Sequence, residues 1–202
     1  MAFVTGDIHG DELGNDFSER MERLRLVATE PNIDLGNPRI DDASPYAPIC
    51  VTVGDVKLKY GNASSPKLRK YMNSHRDITF VIMRGNHDTR YCRDHVTQYG
   101  VPVHGWKRTE RDRFGSSFLY EERHPNVLYV SDGGGMYDVC GEPTLFIPGA
   151  YSPDQEFRMV HGEPYEIAEQ LTTLERRDLY DIACDKSIGR LTVVSHTCPL
   201  SS

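Results

Sequence analysis

The chain has 202 residues, of which 26% are charged, and its formal net charge is −7 at neutral pH. We expect a single globular domain over residues 1–202, because this length supplies enough apolar material for a substantial core. The acidic balance argues against a broad DNA-binding surface, but it permits anionic substrates because bound divalent cations reverse the local charge.

The cysteines do not form a recognisable framework. None of them shows the CxxC spacing, and their positions are 50, 92, 140, 184 and 198. Such a scattered, odd-numbered set is a poor basis for disulfides or for structural zinc. The sequence also has neither a signal-like amino terminus nor an apolar segment of membrane-spanning length. We therefore expect a cytoplasmic protein that does not enter a membrane.

In the first part of the chain, short apolar runs alternate with helical patterns and end in polar clusters. In order, the pattern predicts a strand at 2–5, a helix from 16 or 18 to about 28, a loop at 31–48, a strand at 49–53, a helix from 64 or 65 to about 74, and a strand at 78–83. Because open α/β sheets bind ligands at the carboxyl ends of their strands, the polar residues after these strands are candidate site residues.

The second part of the chain begins with a polar, weakly periodic segment. We expect one or two helices and irregular loop in residues 91–124, which are also a candidate cap over the cleft because they are long for a plain connection. Farther along, the pattern predicts strands at 127–130, 136–139, 144–147 and 191–195, and a helix at 163–183. The run Asp132-Gly133-Gly134-Gly135 lacks the lysine and the strand-to-helix setting of a phosphate-binding loop. It predicts a flexible turn between two strands.

Four polar clusters follow predicted strands and carry the candidate chemistry. They are Gly6-Asp7-Ile8-His9-Gly10, Gly54-Asp55, Gly85-Asn86-His87-Asp88 and Ser195-His196. Carboxylate oxygen together with imidazole nitrogen suits Mn, Fe or Zn better than Mg or Ca. Each cluster alone is equally consistent with an ordinary loop, so the indication of a metal site comes from the ordered set.

In this order, the motifs GDIHG, GD, RGNHD and SHTCP resemble those of the calcineurin-like metallophosphoesterase superfamily, which includes bacterial and viral serine/threonine-phosphatase-like members. The resemblance covers nearly the whole chain. It implies an α/β fold, a four-layer α-β-β-α sandwich of two mixed sheets flanked by helices. It also implies two divalent metal ions, with Mn preferred and Fe or Zn as alternatives, and hydrolysis of phosphoesters by a hydroxide that bridges them.

The resemblance assigns the metal ligands by position. Asp7 and His9 would hold the first metal ion, and Asp55 would bridge both ions. Asn86 and His196 would hold the second.

It also assigns catalytic roles. His87 would act as the general acid, with Asp88 in the acidic position beside it. From their positions near these motifs, Arg84 and also Arg90 or Lys57 are candidate phosphate contacts, and a solvated surface position is the alternative for each.

The chain departs from the family pattern in two places. The family completes its metal set with a Gly-His-x-His loop, but this sequence has none and ends six residues after His196. We expect truncation of a longer protein. The alternative is a catalytically defective module that binds metal, phosphate or nucleotide. The GDxVDRG motif of protein phosphatases is also replaced here, by Gly54-Asp55-Val56-Lys57. This replacement argues against specificity for phosphoproteins. The candidate substrates are a phosphorylated small molecule, a nucleotide or a phosphoprotein, and a nucleic-acid phosphodiesterase is a third candidate function beside the hydrolase and the binding module.

Overall fold

A computed structural model describes residues 2–5, 49–54, 66–86, 88, 90, 92, 95–150, 155–161 and 170–196. Within these ranges, the elements in chain order are β1 (Ala2–Thr5), β2 (Ile49–Val53), α1 (Pro66–Ser74), β3 (Thr79–Met83), β4 (Trp106–Arg108), β5 (Leu119–Glu121), β6 (Val127–Tyr129), β7 (Gly135–Val139), β8 (Glu142–Ile147), α2 (Gln155–His161), α3 (Thr173–Ala183) and β9 (Thr192–Ser195). None of the described helices is long and apolar enough to cross a membrane.

The strands form two mixed sheets. The larger sheet has the order β1-β2-β3-β6-β5-β4, in which the first four strands are parallel and the last two are antiparallel additions. The smaller sheet has the order β7-β8-β9, with β7 antiparallel and β9 parallel to β8. The mixed α/β class with two mixed sheets is therefore confirmed.

Alternation along β3 divides the core of the larger sheet between its two faces. Phe80 and Ile82 belong to a buried cluster that includes Met72 of α1, whereas Val81 and Met83 belong to a second cluster. This period of two is the property of a strand that is covered on both sides. Each such fully buried side chain contributes about 1.5–3 kcal/mol to stability.

The second cluster contains side chains from both sheets. Tyr137, Phe146 and Val194 of the smaller sheet pack in it together with the residues from β3. A third cluster joins Leu145 on β8 to Leu179 on α3. Successive residues of β8 thus enter different clusters, so this strand is also buried on both faces.

All seven strand predictions are confirmed to within two residues. These are the predictions at 2–5, 49–53, 78–83, 127–130, 136–139, 144–147 and 191–195. The helix predicted to end near residue 74 is confirmed as α1, with Pro66 as its first residue, a position that proline tolerates well. The predictions at 16–28 and 31–48 lie outside the described residues.

The helices expected in residues 91–124 are wrong for the part of this segment that the structure describes. Strands β4 and β5 pair with each other and extend the larger sheet. The Trp106 ring lies 5.6 Å from Tyr129, and the Phe118 ring stacks 4.5 Å from Tyr137. The segment therefore gains more from burying its aromatic side chains against the sheet than from local helix formation. Its role as a cap stays a prediction.

The predicted start of the helix at 163–183 is also wrong where it can be assessed. Helix α3 begins at Thr173, and Thr172 is its N-cap. The Thr172 hydroxyl accepts a hydrogen bond from the Glu175 amide, while the Glu175 carboxylate accepts one from the Thr172 amide. This capping box satisfies two amides that the helix would leave unpaired, so it fixes the start of the helix.

Candidate active site

Three strand ends from the two sheets meet at one point. Gly54 follows β2, Asn86 follows β3 after a two-residue step, and His196 follows β9. The His196 Nε2 atom lies 2.7 Å from Asn86 Oδ1, and His196 Nδ1 lies 2.6 Å from the main-chain oxygen of Val53. The fold therefore brings together two of the predicted metal ligands, which are 110 residues apart in the sequence.

The hydrogen bond to Val53 restricts the chemistry of the His196 ring. A main-chain carbonyl can only accept, so Nδ1 must carry a proton and donate it. In a neutral imidazole this leaves a lone pair on Nε2, beside the Asn86 oxygen. Two lone-pair atoms at this distance repel each other, so the contact requires either a proton on Nε2 or a metal ion that both atoms bind. If the Asn86 amide were turned over, its nitrogen would donate to Nε2 instead, and no cation would be required.

Gly54 makes the close approach of these strand ends possible. Its φ is +105°, and a Cβ at this position would lie 2.5 Å from His196 Nδ1 and 2.6 Å from the Gly85 Cα. Both the conformation and the space therefore require glycine.

The substitution Gly54→Ala is expected to destabilise the protein by about 2–4 kcal/mol, through backbone strain and displacement of His196. Gly100→Ala is the matched control, because Gly100 also has a positive φ of +75° but a Cβ there would meet nothing within 4 Å. The control should cost only about 1–2 kcal/mol. Urea unfolding of both variants measures the difference, and equal losses would show that crowding at His196 contributes nothing.

The loop after β3 is closed by a buried carboxylate. Asp88 Oδ2 accepts a hydrogen bond of 2.8 Å from the Gly85 amide, and Asp88 is only 2% exposed. The main-chain oxygen of Arg84 accepts a hydrogen bond from Gly149, which follows β8. Asp88 thus shapes the loop that carries Asn86. The sequence also predicts that Asp88 acts on His87 as its acidic neighbour. His87 lies outside the described residues, so this role is untested.

Arg84 is built into the interior. It is 2% exposed, and its Nε donates to the main-chain oxygen of Asp132 at 3.1 Å. Burial, followed by repulsion from Arg90, lowers the pKa of Arg84, while Asp132 and other carboxylates oppose this shift. The side chain supports the strand end in this structure, and its predicted contact with phosphate stays a prediction.

Arg90, the other candidate phosphate contact in the described part of the chain, is engaged by a carboxylate. Its two terminal nitrogens lie 2.6 and 3.0 Å from the oxygens of Glu175, and Nη2 also donates to the main-chain oxygen of Gln170. A bidentate pair of this kind has a fixed geometry. The contacts with Glu175 and Gln170 use three of the five N–H donors of Arg90, and its predicted contact with phosphate stays a prediction.

Glu175 has a strongly perturbed carboxyl group. Burial alone would raise its pKa, but hydrogen bonds from Arg90 and Thr172 outweigh that effect and lower the pKa to about 2. A carboxyl with a depressed pKa stabilises the folded protein above its unfolded pKa of about 4.5, and this stabilisation is lost as the pH falls toward about 2.

Glu175→Gln is therefore expected to lower the free energy of unfolding at neutral pH by about 1–2 kcal/mol, a value that allows for solvent screening of a side chain that is 23% exposed. The difference from wild type should shrink below about pH 4.5 as the wild-type carboxylate is protonated. Urea unfolding as a function of pH tests this, with the exposed Glu156→Gln as control. A difference that is constant with pH would contradict the ion-pair explanation.

The structure describes four of the eight predicted site residues, namely Arg84, Asn86, Asp88 and His196. The other four, Asp7, His9, Asp55 and His87, lie outside the described residues. Within the described ranges, no group of three or more His, Cys, Asp or Glu side chains is arranged to hold a metal ion. The metal-binding role of Asn86 and His196 therefore stays a prediction.

The sequence interpretation missed three polar residues that support the candidate site. They are Asp132, Arg90 in its pairing role, and Glu175. The Thr172-x-x-Glu175 pattern is a capping-box signal that was readable in the sequence. The contacts of Asp132 span 40 residues or more and leave no local pattern.

Comparison with known proteins assigns no family to the chain. No protein-family model, no curated protein and no solved structure matches it. A proposal of function therefore rests on the ordered motifs and on the geometry of the described residues.

Proposed function

We propose that this protein is a metal-dependent phosphoester hydrolase of the calcineurin-like metallophosphoesterase type. The observation that carries the proposal is the meeting of Asn86 and His196 at the ends of strands from two different sheets. Two residues that the motifs assign to one metal ion lie in contact, although 110 residues separate them in sequence. If the motifs matched the family only by chance, there would be no reason to expect Asn86 and His196 to lie in contact.

The donor atoms fit a divalent transition metal. Asn86 offers an amide oxygen, and His196 offers Nε2 because its Nδ1 hydrogen bonds to the Val53 carbonyl. Metal-binding histidines commonly donate their other ring proton to a carbonyl or a carboxylate, which fixes the tautomer and the ring orientation.

The remaining ligands in the proposal are Asp7, His9 and Asp55, with Asp55 shared between two metal ions. When bound, such ions neutralise the phosphate charge and make water acidic enough to attack at neutral pH. Among residues of the chain, His87 would donate a proton to the leaving oxygen. Asp88 would keep the loop of His87 closed through its bond to the Gly85 amide.

The packing is compatible with the four-layer α-β-β-α sandwich that we propose as the complete architecture. One apolar cluster is shared by the two sheets, α1 contributes to a cluster of the larger sheet, and α3 contributes to a cluster of the smaller sheet. The proposed substrates are a phosphorylated small molecule, a nucleotide or a phosphoprotein. The proposed location is the cytoplasm.

Hydrolysis of p-nitrophenyl phosphate and of its bis-ester, with Mn²⁺ added, tests the proposal. We expect activity that is abolished by a chelator and restored by Mn²⁺. The assay should be run on this chain and on a form extended at its carboxyl end, because the family's Gly-His-x-His loop has no counterpart in the sequence. Absence of metal-dependent hydrolysis in both forms would reject the proposal.

The second candidate function is a binding module that retains the fold but does not hydrolyse the phosphate or nucleotide that it binds. The direct contact of 2.7 Å between His196 and Asn86 favours it, because a proton can satisfy that pair without a metal ion. This candidate predicts saturable binding of phosphate or nucleotide, measured by calorimetry, with no hydrolysis in either form of the chain.

A further inference from the structure

We propose that three residues, Asp132, Arg90 and Glu175, form a clamp that positions Gly85, Asn86 and Asp88, in the loop after β3, for catalysis. The inference deepens the proposed function, on which its catalytic part rests, by adding positioning residues that the motifs do not contain. The clamp connects the loop after β3 to the turn between β6 and β7 and to the start of α3.

Asp132 holds both ends of the segment that contains the loop. Its main-chain oxygen accepts a hydrogen bond from Arg84 Nε at 3.1 Å, and its Oδ1 accepts one from the Cys92 amide at 3.1 Å. Asp132 is only 9% exposed. Breaking the hydrogen bond between this buried carboxylate and the Cys92 amide would leave buried polar groups unsatisfied, which is costly in free energy. The bond therefore holds Cys92 firmly against Asp132.

Arg90 lies between Arg84 and Cys92 in the sequence, and its pairing with Glu175 holds this part of the chain. The bidentate pair fixes the Arg90 guanidinium, and the Gln170 carbonyl accepts a third bond from it. The Glu175 carboxylate is itself held by the Thr172 amide in the capping box. The residues at the start of α3 therefore fix the position of the Arg90 guanidinium.

The two parts of the clamp touch each other through the glycine turn. A Cβ on Gly133 would lie 3.0 Å from Glu175 Oε1 and 3.1 Å from Glu175 Cγ. Gly134 has a φ of +76°, and a Cβ there would lie 2.3 Å from the main-chain oxygen of Phe146. The turn is thus packed between α3 and β8. The predicted turn between two strands is confirmed, and it is a close-packed support.

The clamp acts on the candidate site through the main chain. Its bonds reach Arg84, Arg90 and Cys92, which flank Asn86 and Asp88 on both sides. Catalytic groups must be held to a fraction of an ångström, and a misplacement of about 1 Å can cost about 10²-fold in rate. The three residues are positioning residues, because they act on Asn86 and Asp88 through the loop.

Amide hydrogen exchange measured by NMR tests the clamp without reference to activity. In Asp132→Ala the Cys92 amide loses its acceptor directly, whereas Gly85 bonds to Asp88 and reports on the loop as a whole. We expect Gly85 exchange to accelerate about tenfold or more in Asp132→Ala and in Glu175→Gln, with Val51 of β2 unchanged. The variant Asp132→Asn keeps an acceptor oxygen and should retain most of the protection.

The matched control is Asp112→Ala. Asp112 lies in the connection between β4 and β5. Its Oδ1 accepts main-chain hydrogen bonds from Phe114 and Ser116, and its Oδ2 accepts one from Asp138 on β7. This variant should accelerate exchange at those three amides and leave Gly85 unchanged. Unchanged Gly85 protection in both folded clamp variants would overturn the clamp. If Asp132→Ala does not fold, Glu175→Gln alone decides.

Kinetics with p-nitrophenyl phosphate and Mn²⁺ then test the catalytic part. In Asp132→Ala we expect kcat to fall about 10–100-fold with KM changed less than about threefold, and Asp132→Asn to recover most of the loss. Loss of kcat in Asp112→Ala of the same size would overturn the catalytic part, because it would reflect general destabilisation. Inactivity of both this chain and its carboxyl-extended form would reject the proposed function, while the Gly85 exchange result would still decide the clamp.

Discussion

Replacement of His196 by alanine is expected to lower Mn²⁺ affinity by at least about 100-fold. Removal of a residue that only supports a metal ligand already lowers metal affinity by about 10–100-fold, and loss of the ligand itself should have a larger effect. Metal-dependent hydrolysis of p-nitrophenyl phosphate should fall by a similar or larger factor. The physical reason is the position of Nε2, which lies beside the Asn86 oxygen and is oriented by the Val53 carbonyl. Calorimetric titration with Mn²⁺ measures the affinity, and the kinetic assay measures turnover.

His161→Ala is the control for the loss of an imidazole. His161 is exposed on α2, and its Nδ1 contacts the Phe157 carbonyl one turn earlier. Its removal should change neither Mn²⁺ affinity nor turnover. The assignment of His196 would be contradicted if its alanine variant remained folded and bound Mn²⁺ as tightly as the His161 variant.

Replacement of His87 by alanine is expected to separate metal binding from catalysis. In the proposed mechanism His87 protonates the leaving oxygen and holds no metal ion, so Mn²⁺ affinity should be retained. General acid catalysis contributes about 10²–10⁴-fold, and the loss should be largest for substrates with poor leaving groups. The measurement is kcat/KM for a series of aryl and alkyl phosphates with leaving groups of increasing pKa.

The internal control in this experiment is p-nitrophenyl phosphate, whose good leaving group needs little protonation. His87→Ala should therefore be much less impaired with this substrate than with an alkyl phosphate. A parallel loss of bound Mn²⁺ and of activity toward all substrates would remove His87 from the role of general acid and make it a ligand or a structural residue.

Core strands were predictable because their pattern is local. β2 and β3 are continuous apolar runs, as expected for strands that are buried on both faces. β4 was not predictable, because Trp106-Lys107-Arg108 is short and largely polar. It becomes a strand because Trp106 packs on Tyr129 and because β5 offers a pairing edge. Such tertiary contacts override local preference.

The contact between the candidate ligands was predictable, but their support was not. Asn86 and His196 each follow a predicted strand, and open α/β sheets place their ligand sites at the carboxyl ends of strands, so a meeting of the two residues was to be expected. The two strands belong to different sheets, which no local pattern in the sequence indicates. The bond between Asp132 and Cys92 depends on how a turn of the β6–β7 connection is packed, and no sequence pattern records that packing. The same holds for Arg90 and Glu175, which are 85 residues apart.

The enzyme and the binding module differ in what satisfies the His196–Asn86 pair. In the proposed enzyme a divalent cation would bind both lone pairs. In the binding module a proton on Nε2, or a reversed amide of Asn86, would satisfy them. The presence or absence of a metal ion at this pair therefore separates the two functions.

A crystal structure with Mn²⁺, with anomalous scattering recorded at the manganese absorption edge, tests the central claim most directly. The proposed function predicts an anomalous peak in coordination distance of both Asn86 Oδ1 and His196 Nε2, with His196 Nδ1 still donating to the Val53 carbonyl. A Mn²⁺-saturated crystal that keeps the direct Asn86–His196 hydrogen bond and shows no manganese beside these atoms would contradict it.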